Sequence, residues 1–312
     1  MSDTIERIAD ALLYEGYLLY PYRRSAVKNR QRFNFGVLYP EEHVAAGGSD
    51  TGDRSFMQIE CLVLGDAETT LSLKLRFLQL MESTAGADAS APWQEATERA
   101  VPLRCSLAEL LTAPQRHEFS FPGGDDPGPA PYSLDGEVEF SARTVDDSGL
   151  RLCVRVTNRT HATAGGAGRA DILARSLVSC HAILTLEAGE FVSLLDPPPE
   201  LAASARSCEN IGAWPVLAGE AGVRNTVLAS PIILYDYPTI APESSGDLFD
   251  ATEIDEILSL RILTLTDEEK REVRESDERA RRLLDRTEAL TAEQLMQMHG
   301  VLRQPRLLEE HP

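Results

Sequence analysis

The sequence predicts an α+β fold that is mainly antiparallel β, either a sandwich or an open barrel, with an N-terminal helix and a C-terminal helical appendage. Between residues 57 and 195, apolar and polar residues alternate with period two over several stretches, as in half-buried strands. These stretches follow one another without the intervening helices of a parallel sheet. A series of helix-capping sequences then begins at residue 250, which indicates the appendage.

The first element is predicted to be a helix. Ile5, Ile8, Leu12 and Leu13 recur near helical spacing, and the polar residues at positions 2 and 3 can cap its start. An aromatic-rich segment, interrupted by Pro21, follows directly.

The alternating stretches are predicted to form three hairpins. They join 57–63 to 71–77, 138–142 to 150–156, and 178–186 to 191–195. Gly65-Asp66 lies in the first connection, a turn sequence at 146–149 lies in the second, and 187–190 (EAGE) forms the third. Alternation assigns residues to faces but does not identify neighbouring strands, so the strand order stays open.

The domain prediction follows from the composition along the chain. Residues 1–249 form a β-rich domain, and the segment PGGDDPGPAP at 122–131 is a long loop or a linker that divides this domain into two β-lobes. Residues 250–303 form the helical appendage and 304–312 a tail. The segment 230–243 carries three prolines, so we expect it to wrap the β-core in an extended form.

Three capping boxes mark helix starts in the appendage. They are Asp250–Glu253, Thr266–Glu269 and Thr291–Gln294, each a short polar residue followed three positions later by Glu or Gln. The helices between them carry many charged residues, so we expect them to pack through narrow apolar stripes.

Composition limits the class of partner. The 312 residues include 50 acidic and 30 basic side chains, a formal net charge of −20, with 43% apolar residues. These values exclude a collagen, a disulfide scaffold and a wholly disordered chain. An acidic chain repels phosphate, so we expect no nucleic-acid partner.

The cysteines and the chain start point to a reduced compartment. The five cysteines contain no CxxC pair, and we expect buried thiols and no bound cofactor. The start of the chain has no basic region followed by an apolar one, and no apolar run approaches the length of a membrane helix. We therefore expect a cytoplasmic protein without a membrane span.

A cluster of basic residues at 23–32 is the strongest local anomaly. The segment RRSAVKNRQR contains Arg23, Arg24, Lys28, Arg30 and Arg32, and Tyr20 and Tyr22 precede it. A guanidinium group can bond two oxygens of a carboxylate or phosphate at once, so the run is a candidate docking patch for an acidic partner or an anionic ligand. The alternative is that these side chains pair with carboxylates of this protein itself.

Two further groups are weak candidates for chemistry. Cys180 and His181 are adjacent, and Cys208 could join them only through folding, but neighbouring strand residues point to opposite faces and rarely share a metal. The acids between 243 and 256 could bind a cation or act in acid–base catalysis, although Asp250 and Glu253 are already assigned to capping. We therefore assign no metal site and no catalytic residue.

Two long segments resemble the sequences of an uncharacterised bacterial family. They are 10–39 (DALLYEGYLLYPYRRSAVKNRQRFNFGVLY) and 229–269 (ASPIILYDYPTIAPESSGDLFDATEIDEILSLRILTLTDEE), together about a quarter of the chain. That family is associated with [NiFe]-hydrogenase gene clusters. The resemblance implies an accessory role in assembly, maturation or association of the hydrogenase, and it implies no catalytic residues.

The first functional hypothesis is therefore a non-enzymatic accessory protein that binds a hydrogenase subunit or a maturation factor. An alternative is a hydrolase, metal-dependent or not, with a site near His181 or the acids 243–256, which requires those side chains to converge in one pocket. A second alternative is a structural component that oligomerises through its C-terminal helices. The sequence leaves the oligomeric state open.

Overall fold

The computed structural model divides the chain into two compact units. Unit 1 comprises Met1–Glu15 and Phe33–Thr239, and unit 2 comprises Gly16–Arg32 and Ile240–Pro312. Within them the structure describes residues 3–23, 26–30, 32–47, 52–82, 94–123, 132–145, 149–162, 168–242, 244, 246–250, 254–276 and 278–299. This division begins the C-terminal part at 240 rather than 250, and it adds the N-terminal segment 16–32. The predicted tail lies outside the described residues.

Unit 1 is built on one mainly antiparallel sheet, nearly closed into a barrel. Its strands are β1 (Phe56–Glu82), β2 (Gln94–Ser106), β3 (Gln115–Phe121), β4 (Leu134–Val145), β5 (Gly149–Asn158), β6 (Val178–Val192), β7 (Trp214–Leu217) and β8 (Thr226–Ser230). They pair in the order β3-β4-β5-β1-β6-β8-β7, and β2 pairs with β1. The predicted fold class is confirmed, in its open-barrel form. The strands on either side of segment 122–131, β3 and β4, pair with each other.

Two of the three predicted hairpins are wrong, because their supposed turns lie inside long continuous strands. β1 pairs with β5 through its first part and with β2 through its second, and β6 runs beside both parts. Gly65 and Gly189 are directly opposite, where the β1–β6 register shifts. Thr69 donates its hydroxyl to the carbonyl of Ala188 at 2.6 Å, which closes this bulge. The turn-like residues therefore bend a strand pair instead of reversing it.

The bulge has room for no further side-chain atom. A Cβ on Gly65 would lie 2.6 Å from the hydroxyl oxygen of Thr69, and a Cβ on Gly189 would lie 2.9 Å from the methyl carbon of the same residue.

The middle hairpin is confirmed, since β4 and β5 pair from Gly136↔Asn158 to Val145↔Gly149.

The core of unit 1 lies on the inner face of the sheet. Alternate residues of the strands, such as Ile59, Leu73, Phe140, Val154 and Leu184, are almost completely buried there. This is the face that the period-two pattern predicts.

The predicted N-terminal helix is present as α1 (Asp3–Leu13), and its apolar side is buried. Ion pairs connect its polar side to β1. Lys74 lies 2.8 Å from Glu6, and the buried guanidinium of Arg76 lies 2.6 Å from Asp10. Unit 1 also contains the short helices α2 (Glu41–Gly47), α3 (Leu107–Thr112), α4 (Arg169–Leu173) and α5 (Ala202–Arg206).

Unit 2 contains the C-terminal helices. They are α6 (Asp255–Leu263), α7 (Asp267–Ser276), α8 (Glu278–Glu288) and α9 (Ala292–Met298). α8 packs against α6 and α7, and α9 packs against α6. The buried residues Leu258, Ile262, Val273, Leu283 and Leu284 form the apolar stripes that the sequence predicts.

The capping predictions have mixed outcomes. Thr266 exchanges bonds with Glu269, and Thr291 with Gln294, as the capping-box pattern predicts. The prediction at Asp250 is wrong for α6, which begins at Asp255 with Ile254 in the capping position and no side-chain cap bond. Asp250 is buried.

No helix in the described part of the chain combines the length and apolarity needed to cross a bilayer.

Candidate functional site

The basic segment of unit 2 forms a closed loop between Leu19 and Arg30, here called the basic loop. The Asn29 side chain, itself buried, closes it: the amide oxygen accepts from the Leu19 N–H at 2.8 Å, and the amide nitrogen donates to the carbonyls of Leu19 and Arg23 at 2.9 Å. A 3-10 turn at Val27–Arg30 forms the last part of the loop. One side chain thus satisfies three backbone groups that no regular element pairs.

Arg32 supports the base of the basic loop. Its guanidinium group donates to the Tyr17 carbonyl at 3.1 Å and lies over the Tyr17 ring, 5.3 Å from the centroid. Tyr17 in turn packs edge-on against Phe249, and the N–H of Gly16 donates to the Phe249 carbonyl at 2.9 Å. Arg32 is buried, so this arginine has a structural role.

Tyr22 is the buried anchor of the loop. It has a left-handed backbone with φ of 58°, and its hydroxyl donates to the Leu248 carbonyl at 2.9 Å. Burial, together with the nearby carboxyl groups of Asp250, Asp247 and Asp255, raises the pKa of this phenol. Tyr22 is therefore a neutral hydrogen-bond donor, and its side chain lies away from solvent.

Arg23 and Tyr20 lie between the buried and the exposed parts of the loop. The Arg23 guanidinium is 3.3 Å from Glu269 and 3.6 Å from Glu272 on α7. Tyr20 packs edge-on against Tyr22, and the guanidinium of Arg261 lies over its ring at 5.7 Å. Arg23 is thus paired within unit 2, as the alternative interpretation of the basic run expects.

The loop displays a small part of the predicted set. Val27 is 76% exposed and Lys28 is exposed beside it. Arg24 and the side chain of Arg30 lie outside the described residues. The sequence analysis did not identify Val27 or Asn29 as functional residues. The features that could have indicated them are an apolar residue and an amide side chain within an arginine-rich run.

The structure does not bring Cys180, His181 and Cys208 into one site. Cys180 points into the core of unit 1, and His181 lies on the opposite face, where it is the register partner of Arg76. Cys208 follows α5 and packs against a separate apolar cluster. Within the described residues, no group of three or more His, Cys, Asp or Glu is arranged to hold a metal ion.

His181 is a neutral buried side chain. Its Nδ1 bonds the carbonyl of Ser179 at 2.8 Å, and burial lowers its pKa to about 4. Its Nε2 is buried and has no hydrogen-bond partner among the residues that the structure describes. A residue in this state is disfavoured as a proton acceptor at neutral pH.

The acids between 243 and 256 have separate local contacts in unit 2. The Phe249 N–H donates to Asp247 at 2.8 Å, Ser244 donates to Asp255 at 2.5 Å, and Glu256 lies 2.6 Å from His299. Burial raises the pKa of Asp247 to about 6. Glu243 and Glu253 lie outside the described residues.

A groove of about 450 Å3 lies on unit 1 at the edge strand β3. It is lined by Glu118, Phe119, Ser120, Asp135, Gly136, Glu137 and Arg159. Neither His181 nor any acid between 243 and 256 lines it.

Comparison with known proteins finds no match: neither a family model nor a curated protein sequence is similar to this chain.

Proposed function

We propose that this chain is a non-enzymatic accessory protein that binds an acidic surface of a [NiFe]-hydrogenase subunit or maturation factor through the basic loop. The observation that carries the proposal is the display of Val27 and Lys28 on a loop that Asn29 closes from within. An exposed apolar side chain next to a cation, in a chain of net charge −20, suits an acidic protein partner.

The hydrogen bonds of the described residues of the loop support a binding role. Ordering a mobile loop on association costs free energy, and a loop held in one conformation avoids that cost. The bonds of Asn29 and the burial of Tyr22 and Arg32 hold the backbone on both sides of Val27. Four residues of the predicted patch thus have three roles. Tyr22 and Arg32 shape the loop, Arg23 pairs with carboxylates of α7, and Lys28 contacts the partner.

The hydrogenase partner rests on the family resemblance. Parts of both resembling segments, 16–32 and 240–269, belong to unit 2. They meet there through the Gly16–Phe249 and Tyr22–Leu248 hydrogen bonds. The parts of the two distant segments that lie in unit 2 are therefore in contact with each other, and unit 2 also includes the basic loop.

The test is affinity purification of the tagged full-length protein from its native host, grown with the hydrogenase expressed. Mass spectrometry quantifies the hydrogenase subunits and maturation factors in the eluate. We expect wild type to recover them, and we expect Val27→Asp and Lys28→Glu to reduce recovery about tenfold or more, since central contacts dominate binding. Both side chains are exposed, so neither substitution should unfold the protein.

Arg143→Glu is the matched control, since it reverses an exposed basic residue of β4 in unit 1. Its recovery of hydrogenase proteins should equal that of wild type. Recovery that is unchanged in Val27→Asp and Lys28→Glu would exclude the loop as the docking site. A wild-type eluate without hydrogenase proteins, but with stoichiometric metal in the bait, would overturn the accessory role itself.

A further inference from the structure

The strand β3 lies at one end of the sheet of unit 1 and pairs on one side, with β4. In an antiparallel pair only alternate residues of a strand bond to the partner, so the peptide groups of the other residues of β3 point away from β4. Among the described residues, no backbone hydrogen bond reaches these groups from another part of the chain. Unpaired peptide groups along an edge strand are a template for a further extended chain.

The groove of about 450 Å3 lies against this strand, and carboxylate groups predominate in it. Glu118 is exposed on β3, and Asp135 and Glu137 are half-buried on β4. Among the described residues that line the groove Arg159 alone is basic, and it is already held by Glu137 at 3.0 Å and by Glu41 at 2.5 Å. Within the described part of the chain, the carboxylates of Glu118 and Asp135 have no ion-pair or hydrogen-bond partner. The groove therefore carries a net negative charge.

The register of β3 and β4 places like charges together on the face that is turned away from the core. Glu118 lies directly opposite Glu137, whereas the next pair along this face, Arg116 and Glu139, is an ion pair at 2.5 Å. Like charges directly opposite each other destabilise a strand pair. A cation held between the two glutamates removes this repulsion, so the arrangement favours a basic ligand.

The other face of β3 is apolar. The half-buried ring of Phe119 packs against Phe77, with ring centroids 5.9 Å apart, and it lies so close to Gly136 that a Cβ there would overlap it. Side chains of a further strand alternate between the two faces of the sheet, as those of β3 do. An extended chain that pairs with β3 thus places one set of side chains beside Phe119 and the other set at the acidic groove.

We propose that the free edge of β3 and the adjoining groove bind an extended basic segment of a protein partner, in which arginine or lysine alternates with apolar residues. The segment adds to β3 as a strand, so that its main chain provides affinity and its alternate side chains provide specificity. A basic residue opposite Glu118 has its Cβ about 4.5–5.5 Å from that of Glu118, and its side chain extends into the groove.

Arginine suits this position best, because its guanidinium group bonds several carboxylate oxygens at once. The groove selects a partner segment of opposite charge to the surface proposed for the basic loop, and neither proposal depends on the other.

The probe is a fluorescein-labelled peptide, Val-Arg-Val-Arg-Val, and the measurement is its fluorescence anisotropy on titration with the full-length protein. We expect saturable binding that weakens as ionic strength rises, and no binding of the counterpart Val-Glu-Val-Glu-Val. Glu118→Arg should raise the dissociation constant about tenfold or more, since the reversal removes an attraction and adds a repulsion. Glu190→Arg, the matched control at an exposed position of β6, should leave it unchanged. Both side chains are exposed, so neither substitution should unfold the protein.

N-methylated peptides test the strand pairing. Only alternate N–H groups of a paired strand point to its neighbour, so methylation of one set, the valine or the arginine amides, should abolish binding while methylation of the other set preserves it. An equal effect of both sets would overturn the pairing. Failure of the arginine peptide to bind, equal binding of the glutamate peptide, or wild-type affinity of Glu118→Arg would overturn the basic segment as the ligand. Self-association of the protein in sedimentation that is lost in Glu118→Arg would assign the edge to a second copy and overturn the proposal as well.

Discussion

The closure of the basic loop by Asn29 can be tested by a single substitution, Asn29→Ala. The variant loses three hydrogen bonds that involve Leu19 and Arg23. It leaves the exposed residues Val27 and Lys28 unchanged, so any effect acts through the conformation of the loop.

The expected loss in the free energy of unfolding depends on which hydrogen bonds each of the three backbone groups keeps in Asn29→Ala. The Leu19 carbonyl still accepts from the Tyr22 N–H at 2.8 Å, and the Arg23 carbonyl from the Ala26 N–H at 3.2 Å. Each therefore loses about 0.5–1 kcal/mol. The part-buried Leu19 N–H loses its acceptor, the Asn29 amide oxygen, which costs about 1–2 kcal/mol, the lower part of the range for an unsatisfied donor. The sum is about 2–4 kcal/mol in the free energy of unfolding of unit 2.

Hydrogen exchange is the suitable assay, because the chain has two units and a single unfolding free energy is not defined for it. We expect the Leu19 amide to exchange much faster in Asn29→Ala, and peptides from unit 1 to exchange as in wild type. Asn29→Asp is the matched control. It keeps the oxygen that accepts from Leu19, so protection of that amide should persist, although the two donated bonds are lost.

The consequence for binding is also measurable. If the loop conformation matters, Asn29→Ala should reduce recovery of hydrogenase proteins although Val27 and Lys28 are intact. The reasoning is refuted if the Leu19 amide stays as protected in Asn29→Ala as in wild type, or if unit 2 is destabilised by less than about 0.5 kcal/mol.

Three further predictions concern stability. The folded-state pKa of Asp247 is raised from 3.8 to about 6, so its contribution to the stability of unit 2 is present below pH 3.8 and lost as pH rises through about 6. Asp247→Asn should remove this pH dependence of stability, measured as hydrogen exchange of unit 2 at a series of pH values. Equal pH dependence in the variant and wild type would contradict the prediction. The pKa of His181 is lowered from 6.5 to about 4, so acidification through that range destabilises unit 1. His181→Leu should reduce the loss of stability of unit 1 between pH 6.5 and 4. If that loss is the same in the variant and wild type, the burial of His181 is not its cause. Gly189→Ala should lower the free energy of unfolding by about 1–3 kcal/mol, because the added methyl group overpacks against Thr69. Gly168→Ala is the control, since its Cβ would have no neighbour within 4 Å, and it should leave the melting temperature nearly unchanged. Equal melting temperatures of the two variants would show that the bulge can relax.

Local patterns in the sequence predicted much of the fold. Helical spacing of Ile5, Ile8 and Leu12 predicted α1 and its buried side, and alternation predicted which residues of β4, β5 and β6 face the core. The capping boxes at Thr266 and Thr291 predicted the starts of two helices. These features depend on residues within a few positions of each other, so the local sequence contains the information.

The sequence pattern identifies the basic run as a candidate but does not indicate the environment of each of its side chains. The basic run was identified from charge alone, yet charge does not distinguish an arginine that binds a backbone carbonyl from one that meets solvent. Arg32 is buried against Tyr17, whereas Lys28 is exposed. No local pattern indicates the role of Asn29, because that role depends on the position of Leu19, ten residues away in the chain.

The sequence by itself determined the type of most elements, the faces of the strands and the anomalous charge of segment 23–32. Only the tertiary structure decided that Gly65 and Gly189 bend two long strands together, that segment 16–32 belongs with the C-terminal helices, and that the side chains of Ile233 and Tyr235 are exposed. The physical reason is that a turn-like residue, an arginine or an apolar pair has several stable environments. Contacts with residues far away in the chain select among them, and no local pattern specifies those partners.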